Sequence, residues 1–88
     1  MTIKNSSKCG TLESNDIYIV LTPSNDGIEI ELESSVTKQF GDEIRAVIEE
    51  TLKELGVTSV KVNAQDKGAL NYTIKARVEG AVRRGGIN

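Results

Sequence analysis

An α+β domain is the expectation, with two β-hairpins forming a largely antiparallel four-stranded sheet packed against one long helix and a short C-terminal helix, in the order ββαββα. Three observations support it. First, Val36, Phe40, Ile44, Val47, Ile48, Leu52 and Leu55 recur at three- and four-residue steps, while Lys38, Asp42, Glu43, Arg45, Glu49, Glu50, Lys53 and Glu54 fill the positions between them. One stripe of that helix is apolar and the opposite face is solvated, so a sheet is needed to cover the stripe. Second, 16–22 and 28–33 alternate residue by residue, Ile17, Ile19 and Leu21 in the first and Ile28, Ile30 and Leu32 in the second. Third, Pro23-Ser24-Asn25-Asp26-Gly27 separates these runs with turn chemistry, a fixed φ at proline and a free one at glycine, and so reads as a hairpin.

Taken in order, Met1 to Cys9 is polar and without sustained period, and is expected to be a mobile segment of a single domain spanning 1–88. Gly10 to Asp16 reads as a loop ahead of the first strand. In the second strand Glu29, Glu31 and Glu33 form an acidic row, most simply a solvated face that discourages edge pairing. Ser34 or Ser35 can cap the long helix and Gly56 can end it, with Gly41 the local misfit at a cost of about 1 kcal/mol relative to alanine. Val60, Val62 and Ala64 mark a third strand, Gln65 to Gly68 a turn, and Leu70, Tyr72, Ile74 and Ala76 a fourth strand. From about Lys75 the period becomes helical, with Val78, Ala81 and Val82 on one face and Arg77, Glu79, Arg83 and Arg84 on the other, until Gly85-Gly86 stops it.

Composition narrows the function. A chain of 88 residues buries only about 60 to 65% of its unfolded surface, leaving little room for a deep enclosed active site. The net charge of −2 and the small aromatic set, Tyr18, Phe40 and Tyr72, supply neither a phosphate-binding face nor a base-stacking platform, so no nucleic-acid partner is expected. No apolar run approaches the ~20 residues that span a bilayer, and a cytoplasmic location without membrane contact follows as the expectation. Histidine is absent, which removes Ser-His-Asp and Cys-His nucleophiles and every histidine-containing metal site. No catalytic residue and no metal ligand is assigned. Cys9 is the single cysteine and reads as an incidental thiol, with no histidine or helix start beside it to make it reactive. A chain so equipped carries or binds something rather than transforming it.

Three stretches then show a family resemblance. Gly10-Thr11-Leu12-Glu13-Ser14 resembles the N-terminal signature of the acyl carrier (gamma) subunits of citrate lyase. Ser35-Val36 with Lys38-Gln39-Phe40-Gly41, and Asp66-Lys67-Gly68-Ala69-Leu70 with Ala76-Arg77-Val78, are similar to later stretches of the same family, in the same order and at the same spacing. Asn15 stands where a second serine is common. The resemblance implies that Ser14 carries a phosphoribosyl-dephospho-coenzyme A group through a phosphodiester, attached by a dedicated holo-carrier synthase. It further implies two partners, the alpha (acyl transferase) subunit that exchanges acetate for citrate on the carried thioester and the beta (citryl lyase) subunit that splits the citryl thioester. The alternative from a different class is a small structural or regulatory α+β interaction module without a prosthetic group.

Overall fold

The computed structural model describes residues 1–34 and 37–87. Along the chain lie β1 (Ser7–Cys9), β2 (Ile17–Thr22), β3 (Ile28–Ser34), α1 (Thr37–Glu54), β4 (Val60–Asp66) and α2 (Asn71–Gly85). Four strands make one mixed sheet in the order β1-β2-β4-β3, and the α+β class with one long and one C-terminal helix stands as expected.

The pairing differs from two hairpins. β2 and β3, though joined by the short connection 23–27, are not neighbours; β4 lies between them, antiparallel to β2 and parallel to β3. The turn chemistry of Pro23 to Gly27 is therefore real but spans two strand spacings, about 9.5 Å. β4 is fastened into the gap where Val60 N–H donates to Gly27 O at 3.0 Å and the Ser59 hydroxyl donates to Ser24 O. Parallel partners need a crossover, and α1 supplies it between β3 and β4. The central position suits β4, whose Val60, Val62 and Ala64 are all buried, while β3 with exposed Glu29, Glu31 and Glu33 takes the edge.

The expected fourth strand over Leu70 to Ala76 is instead the first half of α2. Ile74, Val78, Ala81, Val82 and Gly85 form its buried stripe, whereas Leu70 and Tyr72 are 59% and 73% exposed. The period-two pattern there joined one core residue, Ile74, with three solvent-facing ones, Leu70, Tyr72 and Ala76, and helical packing of the stripe overrode the strand propensity of Tyr72, Thr73 and Ile74. The fourth strand of the sheet comes from the N-terminus. Met1 to Cys9 is not a loose tail: β1 pairs with β2, and Ile3 is fully buried and bridged to Ile87.

α1 matches its pattern closely. Ile44, Ile48 and Leu52 are buried, Val47 and Leu55 pack half-buried against them, and Phe40 at the start of the stripe remains 48% exposed. The helix ends in a Schellman motif: Gly56, at φ +83°, donates to Lys53 O, and Val57 N–H reaches back to Leu52 O at 2.9 Å. Val57 and Leu52, both fully buried, make the apolar contact that accompanies it. Of the two proposed caps, Ser34 closes β3 and donates its hydroxyl to Asp66 Oδ2 at 2.9 Å, while Ser35, like Val36, lies outside the described residues.

Candidate functional site

The loop 10–16, between β1 and β2, is held by a single carboxylate at its end. Asp16 is 9% exposed and receives five hydrogen bonds. Arg77, from the second turn of α2, donates Nε to Oδ1 and Nη2 to Oδ2, both at 2.9 Å, in a bidentate fork. Ile17 N–H adds to Oδ1 at 2.7 Å, and the amide and hydroxyl of Thr11 reach Oδ2 at 3.1 and 2.7 Å. The start of the loop is thereby tied to its end. The Arg77 hydrogen bonds, partly opposed by burial, pull the Asp16 carboxyl from 3.8 to about 2, and its ionised form also raises Arg77 above its ordinary value.

Inside this clamp the backbone is ordered. The Thr11 hydroxyl accepts from Glu13 N–H, and Asp16 N–H donates to Glu13 O. Asn15 takes φ +66°, the left-handed conformation that asparagine tolerates better than most residues, and its N–H donates to Lys67 O at 2.7 Å while Lys67 N–H returns to Asp16 O at 2.8 Å. Gly10, at φ +100°, passes so close to β2 that an added Cβ would lie 1.9 Å from Ile17 O. Ser14 occupies the outside of the loop with its side chain exposed, and among the described residues its hydroxyl has no hydrogen-bond partner. Gly10 and Asn15 do not loosen this backbone; they allow it to take one tight shape.

The neighbouring turn after β4 is shaped in the same way. Asp66, 2% exposed, accepts from the Ser34 hydroxyl and from the amides of Gly68 and Ala69. Next to this turn an open groove of about 480 Å³ runs between α1 and the start of α2, walled by Phe40, Ile44, Ala69, Leu70 and Tyr72. Cys9 is buried at 7% exposure, and its Sγ faces Gly80 of α2 so closely that a Cβ there would lie 2.7 Å away. Arg84 donates to Lys8 O at 2.7 Å, tying the last turn of α2 to β1.

The sequence singles out Ser14 through the family resemblance and gives no sign of the Asp16–Arg77 clamp. The two residues are 61 positions apart, and each reads locally as an ordinary polar residue, Asp16 in a turn and Arg77 on a solvated helix face. Arg77 belonged to the stretch carrying the family resemblance, which was the one available signal for it.

Residues 4–85 match the acyl carrier protein family described as malonate decarboxylase delta subunit (MdcD). The sequence is 56% identical over 88 residues to the citrate lyase acyl carrier protein of Lacticaseibacillus casei (strain BL23), covering 100% of this chain and 87% of that protein. The chain belongs to the citrate lyase acyl carrier protein family. A second such carrier, from Streptococcus uberis (strain ATCC BAA-854 / 0140J), is 60% identical over 84 residues, 96% of this chain and 83% of the relative. The carrier's fold recurs in a chain from the crystal structure of a Pseudomonas malonate decarboxylase hetero-tetramer in complex with malonate, with a TM-score of 0.83 at 18% identity over 98% of this chain and 89% of that one. As a member of the family, the protein is an acyl carrier, a non-catalytic subunit. Among the described residues no group of carboxylates and thiol is arranged to hold a metal ion, and no helix is long and apolar enough to cross a membrane.

Proposed function

We propose that this carrier serves a citrate lyase complex in the cytoplasm and that Ser14 bears its prosthetic group, phosphoribosyl-dephospho-coenzyme A, through a phosphodiester. The observation that carries the assignment is an exposed, unengaged primary hydroxyl on the outside of a loop whose two ends are tied to one buried carboxylate. The residues present fit such a group. Ser14 has solvent around it, and its exposed neighbours Glu13 and Asn15 make no hydrogen bond to its hydroxyl, so deprotonation falls to the holo-carrier synthase. When bound, the group supplies a thiol at the end of a long arm, on which an acyl chain is held as a thioester. The chain's own part is to present the attachment point and to dock, since a tether raises the local concentration of the acyl group at the sites of the alpha and beta subunits. Cys9 offers no competing thiol, because it is buried against Gly80.

Peptide mapping after co-expression with the holo-carrier synthase tests the assignment. The added mass is expected on the peptide containing Ser14, and Ser14→Ala is expected to fold normally, stay unmodified and fail to support citrate cleavage in the reconstituted complex. Cys9→Ala is expected to keep both activities. Modification at Ser6, Ser7, Ser24, Ser34, Ser35 or Ser59 instead would reject the proposal.

A further inference from the structure

We propose that Asp16 is a positioning residue for attachment: braced by Arg77, it sets the loop shape in which the synthase meets Ser14, so that the enzyme recognises a preformed loop and not an extended peptide. The inference rests on Ser14 being the attachment point. Three features of the loop support it. Asp16 spends one oxygen on Arg77 and Ile17 and the other on Arg77 and both polar groups of Thr11, so it joins α2, β2 and the loop's first residues. The turn it encloses contains Asn15 at φ +66°, and Gly10 immediately before it sits at φ +100°, a combination that an unbraced peptide seldom holds. The Ser14 hydroxyl itself makes no contact with the clamp, so removing the clamp alters presentation without altering the nucleophile.

A synthase that binds only the closed loop sees an apparent affinity lowered in proportion to the closed fraction, while bound carrier reacts at its ordinary rate. Asp16→Asn, which weakens charge-assisted hydrogen bonds, is therefore expected to raise the KM of the holo-carrier synthase for the carrier by about tenfold or more with kcat within about twofold. Amide exchange at Glu13 and Asn15 is expected to accelerate alongside. Thr11→Val leaves the ion pair intact and removes the hydroxyl that bridges Asp16 and Glu13 N–H; it is expected to give the same signature at about threefold, and replaces Asp16→Asn should that variant not fold. Both are assayed well below their unfolding midpoints, so that global stability does not enter. An unchanged KM in a folded variant whose loop amides exchange faster would overturn the inference, as would a loss confined to kcat. Attachment outside Ser14 in the wild-type carrier would remove the Ser14 assignment and this inference with it, an outcome read from peptide mapping and not from kinetics.

Discussion

At the residue scale the Asp16 carboxylate accepts five hydrogen bonds and is held well below the ordinary carboxylate range by Arg77. Its folded pKa of about 2 lies below the ordinary 3.8, so its contribution to stability is complete above about pH 5 and disappears as the pH falls from about 4 through 2. The shift corresponds to about 1 to 2 kcal/mol once the solvent reaching Arg77, whose side chain is 37% exposed, is allowed for. Urea midpoints of the wild type and Asp16→Asn are accordingly expected to differ most near neutral pH and to converge towards pH 2. Parallel curves across that range would show that the carboxylate's charge is not what stabilises the loop. The one Asp16 carboxylate bonds to α2, to β2 and to the start of the loop together, so its ionisation bears on the shape of that loop.

At the scale of elements, α1 shows what a clear period can specify and α2 shows how a close helix–strand contact is tuned. Leu52 is fully buried in the last turn of the α1 stripe, and Leu52→Ala is expected to cost roughly 2 to 5 kcal/mol in chemical denaturation, a large part of the ~5 to 10 kcal/mol available to a domain of this size. A barely shifted midpoint would mean that the stripe faces elsewhere. Gly80 lies inside α2, where alanine is intrinsically better by about 1 kcal/mol, yet a Cβ there would approach Cys9 Sγ to 2.7 Å. Gly80→Ala is therefore expected to destabilise the wild type by about 1 to 3 kcal/mol, and to become neutral or stabilising in a Cys9→Ala background, where the sulfur is gone. A double-mutant cycle by thermal denaturation measures the coupling; additivity of the two changes would remove the steric account of why Cys9 faces a glycine.

For the whole molecule, the N-terminal segment acts as a seam. Lys4 and Asn5 amides donate to Gly86 O and Gly85 O at the end of α2, Met1 O accepts from the Thr58 and Ser59 amides ahead of β4, and Ile3 is buried between them. Gly85 is required at this crossing, since an added Cβ would lie 2.8 Å from Asn5 O. Ile3→Ala is expected to cost about 2 to 4 kcal/mol in the same denaturation assay, although the residue lies in a stretch that reads as a tail. An effect below ~0.5 kcal/mol would return 1–6 to the status of a dispensable extension. The opposite edge of the sheet is handled by charge: β3 exposes Glu29, Glu31 and Glu33, and Arg45 occupies the Ile30 carbonyl at 2.7 Å, so the edge offers a poor template for another strand.

Periodicity alone indicated α1, because its apolar positions from Phe40 to Leu55 recur at helical steps, and it indicated β2, β3 and β4, because each alternates residue by residue. The glycine at 56, the turn residues around 23–27 and the bend at Lys67-Gly68 were legible for the same local reason, whereas Gln65 and Asp66, expected in that turn, are the end of β4. The Ser14 loop was legible as a family signature and not as chemistry, since an exposed serine without a base carries no signal of its own. Strand order was decided only in three dimensions: the link 23–27 is compatible with a hairpin or with a split pair, and it is the crossover through α1 and the burial of β4 that put β4 in the middle. Three residues of β1 and one buried Ile3 are too short a pattern to register, and the start of α2 alternates by coincidence because Leu70 and Tyr72 line an open groove. The Asp16–Arg77 clamp was likewise invisible to local reading, because a charge pair 61 positions apart acquires meaning only when helix packing brings its two halves to 2.9 Å.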